Sequence, residues 1–498
     1  MRRLLGLTSQ LLLISAMTVK GQEWHEYHVD MPGTLQEVIG DSAEELTHIR
    51  VTGILNDRDI EFLHTLCWPI GSKPKDMKGE AYIKMAKQKE DTLRTNLRHL
   101  DLEDARMIND ALPDEAFDGS YIKDYKLPKG LKKIGKDAFS YNVLLKELII
   151  PEGVREIGSN MLFFSILVER VRLPDSLQVL NGGLFSECWK LKEVNMPSQL
   201  RETHECIFTN CDSLSASVGK LPETLEIMDG PLFYGNWSIT EIEVPKNVRI
   251  LNDAFDNMHS LRKATILSDK LTEIGDDAFY CCSILEEVNI PYGIMRIGNG
   301  AFQWNVRLRN VELPSTVTNI GIGAFDSNPL DSIDIPAGVT YIGRNAFWNN
   351  SNLKKVYCRP AVPPTTGPSS STWPLYLPFE DSVNDSTILY VPKGSAEAYR
   401  ASEVFSGFKN IVELEEWQWP TAINKTVMPS GSYKVYGENG TLHIEADGSG
   451  NGKSVTVRVY SISGSAVWTG RMTDSMEIQL PKGFYVVRIG NTTRKISL

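Results

Sequence analysis

From about residue 97 to residue 360, apolar and polar positions alternate in one short phrase that recurs. Three copies are LKELIIPEGVREIG (145–158), LEEVNIPYGIMRIG (285–298) and LRNVELPSTVTNIG (308–321). Two apolar residues stand two apart just before a fixed anchor, as at Leu148 and Ile150, Val171 and Leu173, and Val288 and Ile290. A period of two predicts a short strand with one buried face. The residues between them, Ile149, Arg172, Asn195, Glu243, Asn289 and Glu312, are mostly polar and are expected to face out. The anchors fall at 128, 151, 174, 197, 222, 245, 267, 291, 314, 336 and 359, so the phrase repeats every 22 to 25 residues. Proline holds nine anchors, with Leu267 and Arg359 in the other two. Proline has no N–H to give to a ladder, so the strand is expected to stop there.

After the anchor come Ile-Gly and Ala-Phe. The glycines at 135, 158, 275, 298, 321 and 343 are expected to permit a tight bend. Phe117, Phe139, Phe185, Phe208, Phe233, Phe255, Phe279, Phe302, Phe325 and Phe347 form an aromatic spine, with Leu162 in the missing step. One repeat cannot bury its own apolar edge, whereas stacked repeats can. The expected fold is a mainly β, α/β repeat solenoid with a parallel sheet, in about 11 coils of about 23 residues. Strands about 4.8 Å apart would make that sheet roughly 50 Å long. Two places break the pattern: Thr203-His204 replaces Ile-Gly, and SASVGKLPE (215–223) interrupts a strand.

Three residues after each spine position stands an inward turn residue. The column reads Asn142, Ser165, Cys188, Cys211, Asn236, Met258, Cys282, Asn305, Asn328 and Asn350. Asparagine offers a donor and an acceptor, and cysteine is a small apolar residue with a weak donor. Both suit a buried turn backbone that needs partners. This is the asparagine/cysteine position of a leucine-rich repeat. With I-P, I-G and A-F, the unit resembles the BspA-like leucine-rich repeat family of bacterial surface proteins. That resemblance covers residues 97–360 and implies a cell-surface role. Its partners would be host matrix proteins, other bacterial surface proteins or glycans. Residues 22–96 look like an N-terminal capping region, and 361–414 like a linker loop with a closing strand and helix.

The first 21 residues have Arg2 and Arg3, an apolar run from Leu11 to Ala16 and small residues after it. They read as a signal peptide, too short for a membrane span. No other stretch is apolar enough for a transmembrane helix. Residues 415–498 are a linker followed by short alternating strands with Gly-rich turns, which predicts a small β-sandwich. Its end resembles the C-terminal sorting domains of Bacteroidetes type IX secretion at Tyr460, Gly464, Gly483, Tyr485, Val487 and Lys495-Ile496. The alternative is a plain accessory β-domain. The sorting reading implies an exported protein, extracellular or attached to the outer-membrane surface. Asp41-Ser42-Ala43, Asp91-Thr92-Leu93 and Asp331-Ser332-Ile333 look like the O-glycosylation triplet of that phylum.

The net charge of −11 with no basic stripe argues against nucleic acid as a partner. No GxGxxG, Walker A, HExxH or GxSxG pattern occurs. Carboxylate pairs such as Glu286-Glu287 recur at fixed repeat positions, which suits a solvated face. No catalytic residue, cofactor or metal is therefore expected, and the chain reads as a non-enzymatic binding protein; the alternatives are a structural surface-layer component and a secreted enzyme accessory. His25 and His28 have i,i+3 spacing, and a metal held by them is the minority reading. Aromatic residues recur off the spine at Tyr141, Phe164, Trp189, Tyr234, Trp237, Tyr280, Trp304 and Trp348. They pack beside the spine, or they form a ligand-binding edge. Cys281 and Cys282 are adjacent, with Cys282 in the turn column. Cys188 and Cys211 occupy that column one coil apart, as two stacked thiols or as a disulfide.

Overall fold

The computed structural model describes residues 16–19, 22–67, 97–367, 376–379, 382–383, 385–415, 418–419, 433–438, 441–446, 454–461, 466–473, 475–481, 484–489 and 492–497. The chain divides into two compact units, 1–413 and 414–498. The first is a parallel β-solenoid of about 15 turns.

Each coil has three sides. The first carries the strand that ends at the anchor, such as Glu147–Ile149, with Leu148 buried and Ile149 exposed. Glu147–Ile149, Arg170–Arg172 and Glu193–Val194 pair in parallel register, Leu148 with Val171 and Val171 with Val194. The proline effect is visible where proline is missing. Leu267 N donates to Val244 O and Arg359 N to Ile335 O, both at 3.0 Å, extending the ladder by one bond. The outward asparagines also join coils: Asn195 Oδ1 accepts from Leu173 N and its Nδ2 donates to Leu173 O, both at 2.8 Å.

The second side was not anticipated. Just before the glycine column lies another short parallel strand, such as Glu156–Ile157 or Arg296–Ile297. The expected single 50 Å sheet is instead two series of short sheets on different sides. On the first side the 3-10 turn Ala216–Gly219 stands where a strand would run, capped by Ser215 accepting from Ser217 N.

The glycines after these strands do not serve a bend. None of the six takes a left-handed φ, and a Cβ on Gly158 would lie 2.4 Å from Lys136 N. At Gly298 the Cβ would lie 2.4 Å from the carbonyl carbon of Gly275. The column exists because consecutive coils touch backbone to backbone there.

The third side holds the spine. All ten spine phenylalanines are fully buried. Neighbouring rings stack with centroids 5.3 Å apart for Phe279–Phe302 and Phe302–Phe325, nearly parallel. Each pair adds about 0.5–1.5 kcal/mol beyond the area it buries. Phe379 continues the stack 4.9 Å from Phe347, although the sequence placed residues just before it in a linker. Ser382, three residues on, donates to Phe347 O and accepts from Asn350 N, as a turn-column residue does.

The parallel ladder also runs outside 97–360. Gln22–Val29 pairs with His48–Leu55, which pairs with His99–Asp101. Ala16–Val19 pairs antiparallel with Gln22–Val29, and the rest of residues 1–21 lies outside the described residues. Helix Asp57–Cys67 buries Ile60, Leu63 and Leu66. Its Asp59 carboxylate accepts from the N–H groups of Gly33, Leu35 and Asn56. At the other end Lys355–Cys358 pairs with Ile388–Pro392, and the Tyr399 hydroxyl of helix Ala396–Ala401 donates to Pro360 O at 2.7 Å.

The second unit is a pair of antiparallel sheets. Tyr433–Glu438, Thr441–Ala446 and Ser475–Gln479 form one; Ala466–Met472, Val455–Ser461, Phe484–Ile489 and Thr492–Ser497 form the other. Leu442, Ile444, Val457, Val459, Ile478 and Val487 share one core. Tyr485 is buried and its hydroxyl donates to Pro481 O, while Val487 pairs with Val459. Tyr460 is half-buried and Lys495-Ile496 lies in the last strand, while Gly464 and Gly483 lie outside the described residues.

Candidate functional site: the turn face of the solenoid

The turn that carries each spine phenylalanine has the same backbone in nearly every coil. Two residues per turn take left-handed φ, two before and two after the spine residue: Asp277 and Cys281 flank Phe279, and Asn345 and Asn349 flank Phe347. The residue directly after the spine donates its N–H three residues back: Tyr280 to Asp277, Gln303 to Gly300, Trp348 to Asn345. Its carbonyl accepts from the preceding coil, as Gln303 O does from Cys281 N at 2.8 Å. Fixed backbones in register project side chains in columns, about 4.8 Å apart.

The turn column is fully buried at Asn142, Cys188, Cys211, Asn236, Cys282, Asn305 and Asn350, and nearly so at Asn328. Its members donate to the preceding coil. Asn142 Nδ2 reaches Phe117 O, Asn305 reaches Phe279 O, Asn328 reaches Phe302 O and Asn350 reaches Phe325 O, at 2.8–2.9 Å. Cys188 Sγ donates to Leu162 O and Cys211 Sγ to Phe185 O at 3.1 Å. Asn236 also reaches one coil back, but its Nδ2 donates to the turn-column carbonyl of Cys211 and not to a spine carbonyl. All seven cysteines are free. Burial pushes the Cys188, Cys211 and Cys282 thiols well above their ordinary range.

The off-spine aromatics do not form one edge. They fall on three columns. Tyr141, Phe164 and Trp304 occupy the left-handed position after the spine. Tyr234, Tyr280 and Trp348 stand directly after a spine phenylalanine, and Trp189 and Trp237 four residues after one. Tyr141, Phe164 and Trp189 gather with Tyr121, Val143 and Ile166 in a small apolar cluster of their own. Trp189 packs edge-on against Phe164 at 5.7 Å and donates to Glu187 Oε2. Towards the C-terminal half the rings open out: Tyr234 is 37% exposed, Trp304 45% and Trp237 61%. Trp237 lies 5.0 Å from His259, and Trp348 stacks on Tyr376 at 5.3 Å.

Between those rings the sequence reading missed polar members of the same column. Directly after the spine come Tyr234, Asp256, Tyr280, Gln303, Asp326 and Trp348, in six consecutive coils. The alignment that found the spine contains them, one position along. Burial pushes Asp256 up to about 6, with Asp277 and Asp253 adding to the rise and Asn257 opposing it. Burial, reinforced by Cys281, Asp256, Asp277 and Asp326, pushes the Tyr280 phenol up.

A cavity of about 760 Å³ lies on the N-terminal half of the array, where four consecutive coils replace the column glycine by Asn181, His204, Asp229 and Asn252. Lys133 and Lys136 line it at one end and Glu205, Asp229 and Asp253 at the other. Burial raises the Asp253 carboxyl, and Asp229, Asp276 and Glu205 raise it further. An adjoining cavity of about 410 Å³ reaches Phe163, Ser186 and Thr209, which directly follow the spine in the three coils before Tyr234.

The strand side contrasts with this face. There charges pair between coils: Arg170 with Glu147 at 3.0 Å, Lys192 with Glu169 at 2.9 Å, Arg262 with Glu286 at 3.3 Å. His25 and His28 are three apart on strand Gln22–Val29, so their side chains leave opposite faces and do not converge. His28 contacts Thr52 and Asp30 instead. Among the described residues no three His, Cys, Asp or Glu side chains are grouped to hold a metal. No helix among them is long and apolar enough to cross a membrane. Asp331 of the third triplet pairs with Arg309 at 3.8 Å, while Asp91-Thr92-Leu93 lies outside the described residues.

The profile of the BspA type leucine-rich repeat region matches residues 110–236 and 226–354, in six copies. No curated protein matches the chain. Among solved structures, a leucine-rich repeat protein from Bacteroides ovatus ATCC 8483 is 23% identical, covering 76% of this chain and 90% of its own, with a TM-score of 0.49. A leucine rich cell surface protein from Faecalibacterium prausnitzii A2-165 is 20% identical over 60% of this chain and 86% of its own, with a TM-score of 0.34. A leucine-rich repeat protein from Eubacterium ventriosum ATCC 27560 is 18% identical over 55% and 87%, with a TM-score of 0.35.

Proposed function

We propose that this chain is an exported, non-catalytic recognition protein that binds its partner through the turn face of the solenoid. The observation that carries this reading is the register of that face. One rigid backbone turn, repeated coil after coil, holds exposed rings such as Tyr234 and Trp304 beside carboxylates such as Asp256 and Asp326, whose hydrogen bonds run to Asn257, Gln303 and Ser327. Large rings held by a stiff frame supply contact area at little entropic cost. Polar groups run in columns along the coils, which suits an extended partner rather than a single reacting centre. The match to the BspA type leucine-rich repeat region, with the N-terminal stretch that reads as a signal peptide, supports a place outside the cell, on the outer-membrane surface or released. The second unit, in this reading, is the sorting domain. Adhesion to a host or bacterial surface protein or glycan is the role that follows.

Two experiments test it. Protease added to intact cells should remove the protein, and protection until lysis would refute surface exposure. The full chain should bind immobilised matrix proteins or glycans, and the combined variant Tyr234→Ala/Trp237→Ala/Trp304→Ala should lose that binding while its far-ultraviolet spectrum stays unchanged. A folded variant that binds as before would refute the turn face as the site.

A further inference from the structure

We infer that the column Tyr234–Asp256–Tyr280–Gln303–Asp326–Trp348 is the binding track for a neutral linear glycan, one sugar ring to each coil. This rests on the recognition reading above and names its ligand. Rings and hydrogen-bonding groups share this column, with aromatics at the first, third and sixth positions, one carboxylate between the first two rings and an amide and a carboxylate between the last two. An extended β-1,4-linked pyranose chain advances by roughly 5 Å per sugar, close to the coil spacing of about 4.8 Å. Its rings present axial C–H groups, with partial positive charge, to the negative faces of aromatic rings. Its hydroxyls need acceptors, which the half-buried Asp256 and Gln303 supply, with the buried Asp326 holding Gln303 in place.

The polar members are fixed for this task. Asp326 is 4% exposed, and its carboxylate accepts from Gln303 Nε2 at 2.6 Å and Ser327 Oγ at 2.7 Å. Gln303 Nε2 is thereby engaged by Asp326. Its Oε1 stands beside Gly300 and Gly323, where added Cβ atoms would lie 3.5 and 3.6 Å away, and Gln303 is half-buried. Trp304, left-handed and exposed, stands on the next residue of the same turn. Trp348 stacked on Tyr376 closes the track at its C-terminal end. Towards the N-terminus it runs into the cavity beside Phe163 and Thr209, whose Oγ1 has no hydrogen-bond partner. Charge selects among glycans: Asp256 within the track, with Asp253 and Asp277 at the left-handed positions of the same turns, repels sulfated and carboxylated chains.

Titration calorimetry of the full chain with β-1,4- and β-1,3-linked hexose oligomers of two to eight sugars tests this. Affinity should rise at least tenfold from disaccharide to hexasaccharide for one linkage and level off beyond it. Tyr280→Ala and Gln303→Ala should each weaken the hexasaccharide at least tenfold, while Tyr292→Ala, a more exposed ring off this column, should not. Attaching the same oligomer to a carrier protein should leave its affinity unchanged, because the recognised chemistry is the glycan alone. Three outcomes overturn the inference: no saturable binding of any neutral oligomer, affinity independent of length, or binding only of heparin or polylysine. Where no neutral oligomer binds but matrix-protein binding is lost in the turn-face variant, the glycan track falls while the recognition reading stands.

Discussion

Cys282 Sγ donates to the carbonyl oxygen of Phe255 at 3.0 Å, one coil back. Asn305 repeats that bond to Phe279 with its amide. The thiol is therefore a turn partner, and its neighbour Cys281 sits at a left-handed position with φ 53°, half-buried on the surface of the same turn. Two adjacent cysteines thus have two unrelated roles.

Thiol accessibility follows from this. Cys67, Cys188, Cys211, Cys282 and Cys358 are buried, and burial pushes Cys358 up to about 12. Iodoacetamide at neutral pH is expected to label only Cys206 and Cys281 in the folded chain, because reactivity needs an exposed thiolate. Peptide mass mapping before and after denaturation checks it. A Cys188–Cys211 or Cys281–Cys282 disulfide peptide would contradict it.

The repeat period, the spine and the turn column were legible because they are buried and chemically restricted. Apolar inward positions and amide or thiol partners leave a narrow choice of residue. The second strand was not legible, since two paired residues such as Arg296–Ile297 leave no alternation to detect. Nor were the left-handed positions, which hold residues as different as Tyr141, Cys281 and Trp304. The glycine column was seen but assigned to a bend, because close approach between coils has no signature within one coil. The track after the spine was overlooked for a related reason. Its residues vary from coil to coil, and only their shared backbone makes them a set.

Gly298→Ala separates the two explanations of the glycines. A Cβ there meets Gly275 and Asp276 backbone at 2.4 and 2.5 Å, whereas Gly130 has nothing within 4 Å. Urea denaturation is expected to show Gly298→Ala destabilised by about 1–3 kcal/mol or more. Gly130→Ala should be close to neutral. Equal effects at both would argue against inter-coil contact as the cause.

Trp304 stands at φ 63° where Gly119 and Gly235 occupy the matching positions of other coils. A bulky residue in that region costs about 1–2 kcal/mol. Trp304→Gly is therefore expected to leave stability unchanged or raise it by up to about 1 kcal/mol, with ligand binding reduced. A large loss of stability in the same denaturation series would show that the ring packs rather than presents.

Asp256 sets a pH dependence. Burial raises its carboxyl from 3.8 to about 6 in the folded chain. The folded state then holds the proton more tightly than the unfolded one, so this group favours folding below about pH 4 and opposes it above about pH 6. Asp256→Asn should stabilise the chain at pH 7.5 by about 1–2 kcal/mol, a figure reduced for the hydration the group retains. At pH 4 the variant should match the parent. The same gain at both values would exclude titration of Asp256 as its origin.

The turn face as the recognition surface is tested most directly by amide hydrogen exchange on the full chain, with and without a saturating hexasaccharide or matrix protein that it binds. Slower exchange is expected at the turns of residues 231–238, 253–260, 277–284, 300–307, 323–329 and 345–351, with no change in the strands Glu147–Ile149, Arg170–Arg172 and Glu241–Val244 or in residues 433–497. Protection confined to those strands or to the C-terminal unit, with the turns unchanged, would contradict it.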